Sequence, residues 1–595
     1  LPPAYHAPNP EQRLDAYFTP EGLHLTPRAP ERAEISPFDQ LADGVEERPR
    51  MSGPAHWRAA MRMIGHGYGD ALLPAAFPEL VAKGNRLEYR RSGITEWYIN
   101  TARGLEQGFT LADAPGSRAP GERLRFELEL SGDLRAELIE EGRALALKRA
   151  DGVAALRYSD LYAYDAQGRT LPSLMRLSNG QVWLEVDDKE AVYPVTIDPL
   201  FTFEKQLWVN DGSQYDLFGY SVAVDGDTAV VGAPDDDISV NGVVNGDQGS
   251  AYVFVRSGTA WNLQQKLVAI DGAYSDRFGW SVAISFNTVV VGAPDDDYQL
   301  GSVYVFVRSG TAWNPDTKLL GRGRRFGHSV SISANRLVVG SPKEVIDSKV
   351  FQGAAYVFTR ANSIWGSQPL KLIADDGMAN DFFGFSVAIS GDKIVVGAPW
   401  EDELHVDQGS AYVFEFNSPN QTWIQRPKLV AHDAAANDHF GYAVAINGVD
   451  LIVGAPDDDV GAKSDQGSAY VFHRNSSTWS ERQQLFADNG AASDRFGSSV
   501  AIAGVTAVVG APNDDNGANT DQGSAYIFTF NGSFWNVIPQ RLIASDGKAM
   551  DIFGWSVAID RWGATVLVGA PRGDVFSFPF GFLPDRGTAY VYAAN

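Results

Sequence analysis

Between Asp381 and Phe414 short apolar runs alternate with polar turns in a fixed order. Ser386-Val-Ala-Ile389 is a run of small and β-branched residues, and Gly391-Asp392 turns the chain. Lys393 to Val396 forms a second run, an acidic loop leads to a third at Ala411 to Phe414, and a fourth spans Trp423 to Leu429. Short apolar runs bounded by Gly, Asp and Pro read as strands, and two-residue turns such as Gly448-Val449 join antiparallel neighbours. The same order recurs down the last two thirds of the chain. Phe-Gly begins at Phe218, Phe278, Phe326, Phe383, Phe440, Phe496 and Phe553. A Gly-Ala/Ser-Pro follows each, beginning at Gly232, Gly292, Gly340, Gly397, Gly454, Gly510 and Gly569. A repeat of roughly 40–60 residues with several strands per unit predicts a propeller or solenoid. Four-stranded sheets that are apolar on both faces must stack on a neighbour, and radial repetition leaves only short edges.

The ends of the repeat region predict how the ring closes. Lys205 to Trp208 matches the fourth-strand pattern at Gln265 to Leu267, Lys371 to Ile373 and Arg541 to Ile543. The chain stops at Tyr590-Val-Tyr592, a third strand with no fourth after it. The strand near Gln206 is therefore expected to complete the last of seven blades. The Phe-Gly and Gly-Ala-Pro order over residues 201–595 resembles the FG-GAP repeat of the integrin α-subunit propeller and its bacterial relatives. That resemblance implies an extracellular binding or adhesion module. One feature departs from it. The family's calcium loops, D-x-D-x-D-G runs between the first two strands, are replaced here by bare turns such as Ser390-Gly391-Asp392 and Asn447-Gly448, so those sites are not carried over.

Residues 1–50 are rich in proline and charge, as in LPPAYHAPNPEQ and TPRAPERAEISP. They read as an extended arm held by docking, on its own domain or on a neighbouring subunit. Residues 51–200 read as a β-sandwich-like domain. Leu124, Phe126, Leu128 and Leu130 alternate with Arg125, Glu127 and Glu129, the period of a half-buried strand. Trp57 to Met63, Leu145 to Leu147 and Val182 to Val186 behave similarly. The stretches Thr95-Glu-Trp-Tyr98, Arg103 to Phe109 and Tyr193 to Pro199 resemble a leader domain that often precedes bacterial FG-GAP repeats. The whole is expected to be all-β, a seven-bladed β-propeller at 201–595 preceded by the sandwich.

Composition narrows the partners. A net charge of −25 over 595 residues argues against nucleic acid or an anionic membrane and favours cations or basic surfaces. There is no cysteine, which removes thiol chemistry and Cys-zinc sites. No apolar run approaches the roughly 20 residues of a membrane span. The start at Leu1 fits a removed signal peptide, and a trimmed chain would look the same. Export is the expectation, from the family resembled.

The chemical signal is acidic and repeated. Asp235-Asp236-Asp237, Asp295-Asp296-Asp297, Asp457-Asp458-Asp459 and Asn513-Asp514-Asp515 follow Gly-Ala-Pro directly, and Asp-Gln-Gly closes most of these loops at Asp247, Asp407, Asp465 and Asp521. A second set, Asp216, Asp276, Asp381, Asp438, Asp494 and Asp551, precedes Phe-Gly. In a four-stranded blade the loops after strands two and four share one rim. Clustered carboxylates there suit calcium, and the candidate ligands are Asp235, Asp237, Asp247, Asp295, Asp297, Asp457, Asp459, Asp465, Asp514, Asp515 and Asp521. The competing reading is that Asp and Asn simply bond nearby backbone N–H groups in turns, and for the Asp before Phe-Gly that reading is preferred.

Blade three departs from the acidic pattern with Arg322, Arg324 and Arg325 and a Lys343-Glu-Val loop, which predicts a basic notch; repeat drift explains it equally well. Arg572-Gly573-Asp574 is a tripeptide that integrins read in their ligands, and it stands where blade seven would carry its acids. The Trp that recurs once per blade, from Trp261 to Trp535, is expected to pack between outer strands.

Enzyme signatures are missing. The nine histidines form no His-Glu-x-x-His, and Gly384-Phe-Ser386 recurs in most blades as strand core. The expected function is non-enzymatic: a secreted or surface adhesion protein binding a protein or glycan on the acidic loop face. The alternative is a structural subunit of a filament, sheath or matrix, self-assembled through the N-terminal arm and domain. The two predict different outcomes for deletion of residues 1–50: an intact monomer, or lost assembly.

Overall fold

The computed structural model describes the chain apart from residues 1–4, 10–13, 21, 28–56, 70, 84, 102–103, 117, 120, 140–141, 143, 151–153, 168, 170, 179, 203–204, 210, 241–242, 258–259, 322, 477, 518, 537–538, 545–546, 574, 578–580, 584 and 594–595. It divides into two compact units, Leu1–Glu204 with Gly258–Ala260, and Lys205–Ser257 with Trp261–Asn595.

The first unit is built of two eight-stranded sheets. One runs Tyr5–Asn9, Leu14–Thr19, Gly22–Pro27, Ala59–Tyr68, Leu124–Gly132, Gln181–Val186 and Ser173–Ser178, with Ala71–Pro74 beside Ala59–Tyr68. The other runs Arg135–Ile139, Ala144–Lys148, Ala154–Tyr164, Val195–Thr202, Gly104–Leu111, Ile94–Thr101, Arg86–Arg91 and Glu79–Lys83. Alternation along Leu124–Gly132 places Leu124, Phe126 and Leu128 in a shared core with Tyr98, Phe109, Leu147 and Ile197 of the facing sheet. Residues 5–27 dock on their own domain, one of the two placements expected of the arm, but as sheet strands and not as a loose extended segment. Tyr5–Pro27 contributes three antiparallel strands to the first sheet, and Leu23 pairs with Met61. The reason is a period of two hidden by the prolines and charges: Ala16, Phe18, Leu23 and Leu25 are all buried. The rest of that stretch, residues 28–56, lies outside the described residues.

The second unit is a seven-bladed propeller. Each blade is a four-stranded antiparallel sheet in sequence order, as in Ser386–Ser390, Lys393–Ala398, Ser410–Asn417 and Thr422–Gln425. In blade three the outer strand is split into Ile364–Trp365 and Leu370–Leu372. Closure follows the sequence. Lys205–Leu207 pairs with Thr588–Ala593, Gln206 opposite Tyr590, and so supplies the outer strand of blade seven. Seven apolar clusters fill the seven inter-blade interfaces. The recurring Trp lies in them: Trp313 of blade two packs with Val230 and Ala251 of blade one, and Trp261 of blade one with Leu567 and Val591 of blade seven.

The motif residues explain the spacing of the blades. Each Phe of Phe-Gly is buried and meets the third-strand Tyr edge-on, as Phe383 does Tyr412 at 5.4 Å. Each glycine of Gly-Ala-Pro lies against the carbonyl of the Phe-Gly glycine in the next blade. A Cβ on Gly397 would overlap the Gly441 oxygen, and the same holds from Gly232 against Gly279 round to Gly569 against Gly219. The serine two residues after the Phe-Gly glycine of the first blade bonds that same carbonyl of the next blade. Ser386 Oγ donates to Gly441 O at 2.8 Å, and Ser221, Ser281, Ser329, Ser499 and Ser556 make the equivalent bond; Ser556 to Gly219 closes the circle. Blade five has Ala443 in this position.

These contacts rank two substitutions. Gly397→Ala forces the inner strands of blades four and five apart and should cost about 3 kcal/mol, the upper range for overpacking. Ser386→Ala removes one hydrogen bond and should cost about 1 kcal/mol, since alanine is already accepted at Ala443. Thermal unfolding midpoints of both variants would check this, and equal losses would count against the close contact.

Candidate functional site

The loops after strands two and four meet on one face of the propeller, and backbone bonds weld each pair. The loop before Phe-Gly is a tight turn with two left-handed residues bracketing the Asp: Asn437 and His439, with φ of 68° and 54°, flank Asp438. The Asp carboxylate accepts the N–H three residues back, as from Ala273, Met378, Ala435 and Ala491, each at 2.5 Å. This is the turn role preferred from sequence. Burial pushes these carboxyls up, to about 7 for Asp216 and Asp494 and to about 6 for Asp276, Asp381 and Asp438.

The acids after Gly-Ala-Pro divide by position, and each position has its own partner. The first faces the cation that precedes Phe-Gly. Asp235 pairs with Arg277 at 3.3 Å, Asp295 with Arg325 at 3.1 Å, and Asp457 with His439 at 2.6 Å and Arg495 at 2.9 Å. The second is buried under the blade. Asp236, Asp296, Glu344, Asp458 and Asp514 each accept from the third-strand Tyr hydroxyl, at 2.6 to 2.9 Å. A residue of the outer strand completes the contact: Lys266, Lys318, Lys371, Lys428 with Glu401, Gln484, or Arg541. For Lys428 burial alone would lower the ammonium pKa, but the bonds to Asp376 and Glu401 outweigh it and the net shift is upward. The third acid accepts the N–H of the Asp of Asp-Gln-Gly: Asp237 from Asp247 at 3.0 Å, Asp402 from Asp407 at 2.7 Å, Asp459 from Asp465 at 2.9 Å and Asp515 from Asp521 at 2.9 Å. That Asp sits at φ of 51° to 52° in all four blades and offers its carbonyl to the next turn, as Asp465 does to the Arg495 N–H.

The calcium set expected from sequence is therefore distributed over four environments. Asp237 with Asp247, Asp459 with Asp465, and Asp515 with Asp521 are brought together in pairs. Asp235, Asp295 and Asp457 turn to cations, Asp514 is held by Tyr526 and Arg541, and Asp297 is exposed, 3.9 Å from Lys318. Among the described residues no group of three or more His, Asp or Glu side chains is arranged to hold a metal ion. The donor set does not fit a six- to eight-oxygen calcium shell. The basic notch is likewise altered. Arg325 is paired with Asp295 and lies over Trp280, 4.8 Å from its centroid, while Arg324 is exposed and Arg322 lies outside the described residues. Glu344 keeps the second-acid role, so blade three departs less than its sequence suggests. Arg572 is exposed, and Asp574 lies outside the described residues.

Sequence reasoning missed an aromatic collar. The residue after each Phe-Gly lines the axis: Tyr220, Trp280, His328, Phe385, Tyr442, Ser498 and Trp555. Neighbouring centroids are 4.7 Å apart for Tyr220–Trp280, 5.8 Å for Trp280–His328, 4.8 Å for His328–Phe385, 5.0 Å for Phe385–Tyr442 and 5.5 Å for Trp555–Tyr220. Ser498 interrupts it and bonds its own turn at Arg495 O. Trp400, at the first-acid position of blade four, packs on Phe382, Phe385 and His439. His328 is pushed down to about 3, by burial and then by Arg325, so it is neutral and donates Nδ1–H to Phe385 O at 3.1 Å. Aligning the seven copies would have exposed the signal, since six of the seven positions are aromatic.

The family described as FG-GAP repeat matches the chain at residues 201–254, 261–306, 321–358, 365–414, 423–472, 479–528 and 539–592. No curated protein matches it.

The loop chemistry gives two expectations. Arg541→Met leaves Asp514 buried and unpaired and should cost about 3 kcal/mol, most of it recovered on adding Asp514→Asn; additive losses in a double-mutant cycle would refute the pairing. Asp494 holds a proton in the native state that the unfolded chain releases near the ordinary carboxylate pKa, so its contribution is present in acid and lost as pH rises from about 4 to about 7. The unfolding midpoint of Asp494→Asn relative to the parent should rise across that window and then level off. A difference independent of pH would show that Asp494 is ionised in the fold.

Proposed function

We propose that this chain, which belongs to the FG-GAP repeat family, is a secreted or cell-surface adhesion protein that holds a protein ligand on the face made by the loops after strands two and four. The FG-GAP propeller is an integrin-like domain of the binding type. No helix among the described residues is long and apolar enough to cross a membrane.

The observation that carries this reading is where the exposed apolar side chains lie. On the loops of blades one to four, Tyr215, Ile270, Tyr274, Tyr298, Leu404 and Val406 are each more than 60 % exposed. On the loops of blades five and six and on the turn before blade seven the described residues offer Phe486 and Met550, both under half exposed, while the side chains of residues 574–584 in the blade-seven loop lie outside the described ones. Tyr298 stands clear of the protein at 101 % exposure, on a turn where Asp297, Tyr298 and Gln299 all have left-handed φ, of 52°, 61° and 70°. Three such residues in succession cost backbone energy, and strain of this kind is concentrated where a side chain must be presented. Large apolar side chains in water are the usual anchors of a protein contact. The acid excess favours a partner with a basic surface and speeds the encounter.

Two further points support a non-catalytic role. The hydroxyl of Ser386, the nearest approach to a nucleophile motif, is committed to Gly441 O. The paired carboxylates of the rim already have protein partners. The filament reading gains no support from the N-terminal strands, since Gly22–Pro27 pairs with Ala59–Tyr68 of its own unit.

The test is a binding screen of immobilised chain against extracellular proteins and glycans, followed by variants. Tyr298→Ala with Leu404→Asp should weaken a genuine ligand at least about tenfold, whereas Trp562→Ala, on a turn between strands one and two at the opposite ends of the strands, should not. Affinity should be the same in calcium and in excess chelator. Loss of binding on the Trp562 variant alone would place the ligand on the other face.

A further inference from the structure

A cleft of about 380 Å³ opens on the outer face of the first sheet in the N-terminal unit, lined by Gly69, Gly121, Glu122, Arg123, Arg125, Arg176 and Glu185. The pleat assembles it. Arg123 and Arg125 are two residues apart and share a face. Arg125 stands opposite Glu185 on one side and Gly67 on the other, and Arg176 stands opposite Trp183. With no side chain at Gly67, Arg125 lies across the strand, donates to Gly69 O at 2.5 Å and stacks on Trp183, 4.1 Å from the ring centroid. Gly69 has φ of +56°, a conformation that L side chains rarely adopt, and a Cβ there would displace the Glu122 carboxylate.

The charges do not cancel. Both carboxylates are engaged: Glu122 accepts the Ala119 N–H at 2.9 Å, and Glu185 accepts Arg176 Nε at 2.9 Å. Arg123 has no carboxylate partner among the described residues, and Arg125 Nε is buried with no hydrogen-bond partner. Three guanidinium groups thus face two carboxylates, a local positive excess on a chain of net charge −25. A buried N–H without an acceptor is costly, and a guanidinium fork matches a two-oxygen acceptor.

We propose that this cleft is a binding site for an oxyanion, either a small free anion or the phosphate, sulfate or carboxylate end of a larger ligand, held by Arg123, Arg125 and Arg176. It is independent of the loop face of the propeller. Arg125 is pre-positioned by its stack and its bond to Gly69 O, and the half-buried Arg123 and the exposed Arg176 close on the ligand.

Isothermal titration of the full chain with inorganic phosphate, inorganic sulfate and acetate at matched ionic strength tests it. Saturable binding of at least one is expected, tetrahedral anions being distinguished from carboxylate by which arms respond. Arg123→Gln should weaken it at least about tenfold, the loss of one charge-assisted bond. Arg176→Gln, at a side chain 57 % exposed, provides a second variant whose folding is not at issue. No saturable heat in any arm would overturn the proposal. So would binding that both variants leave unchanged, which would mark an anion held elsewhere.

Discussion

The propeller depends on how closely the inner strands of neighbouring blades can approach. The glycine of Gly-Ala-Pro in one blade lies against the carbonyl of the Phe-Gly glycine in the next, and a serine hydroxyl bonds that same oxygen in six of the seven interfaces. A ring closes only if every interface repeats the same small step, so one larger residue at any of these glycines affects the closure of all seven blades. The closing strand at Lys205–Leu207 acts at the opposite, outer edge, where it removes the last unpaired strand.

The acidic loops follow from the same constraint. A blade narrow at the axis and broad outside leaves the ends of its strands joined by long connections, and these must satisfy their backbone groups without a sheet. The Asp before Phe-Gly, the third acid after Gly-Ala-Pro and the Asp of Asp-Gln-Gly do so by bonding N–H groups or adopting left-handed φ. The second acid is different in kind: it is a buried carboxyl group whose tyrosine and outer-strand partner tie loop, third strand and fourth strand together. A pattern that looks like metal ligation in one dimension is a set of three structural roles in three dimensions.

Strand order, blade number and closure were legible because they are carried by local composition and by repetition. The division of the acids was not, because their partners come from elsewhere: Asp457 meets Arg495 from the following turn, and Asp514 meets Arg541 across two strands. Linear spacing contains neither. The three strands in Tyr5–Pro27 were missed for another reason. Prolines and charges dominate composition there, while only Ala16, Phe18, Leu23 and Leu25 report the period of two. The collar was hidden because one aromatic per blade is indistinguishable from core until the blades are placed round an axis.

Seven copies of one unit in one chain also serve as an internal comparison. Each copy meets nearly the same neighbours, so what every copy keeps is what the ring requires: the buried Phe, the two glycines in contact and the third-strand Tyr. What differs between copies is not needed for closure. The residue after Phe-Gly runs from Trp280 through His328 to Ser498, the first loop position from Asp295 through Lys343 to Trp400, and the loop tips from Tyr298 to Leu404. All of these variable positions fall on the loop face, around the axis and outward along blades one to four. By contrast the turns between strands one and two are mostly two residues long, and their main departure is the longer turn in blade seven that carries Arg561 and Trp562. A framework held fixed with variation gathered on one face is what the adhesion reading proposed above requires.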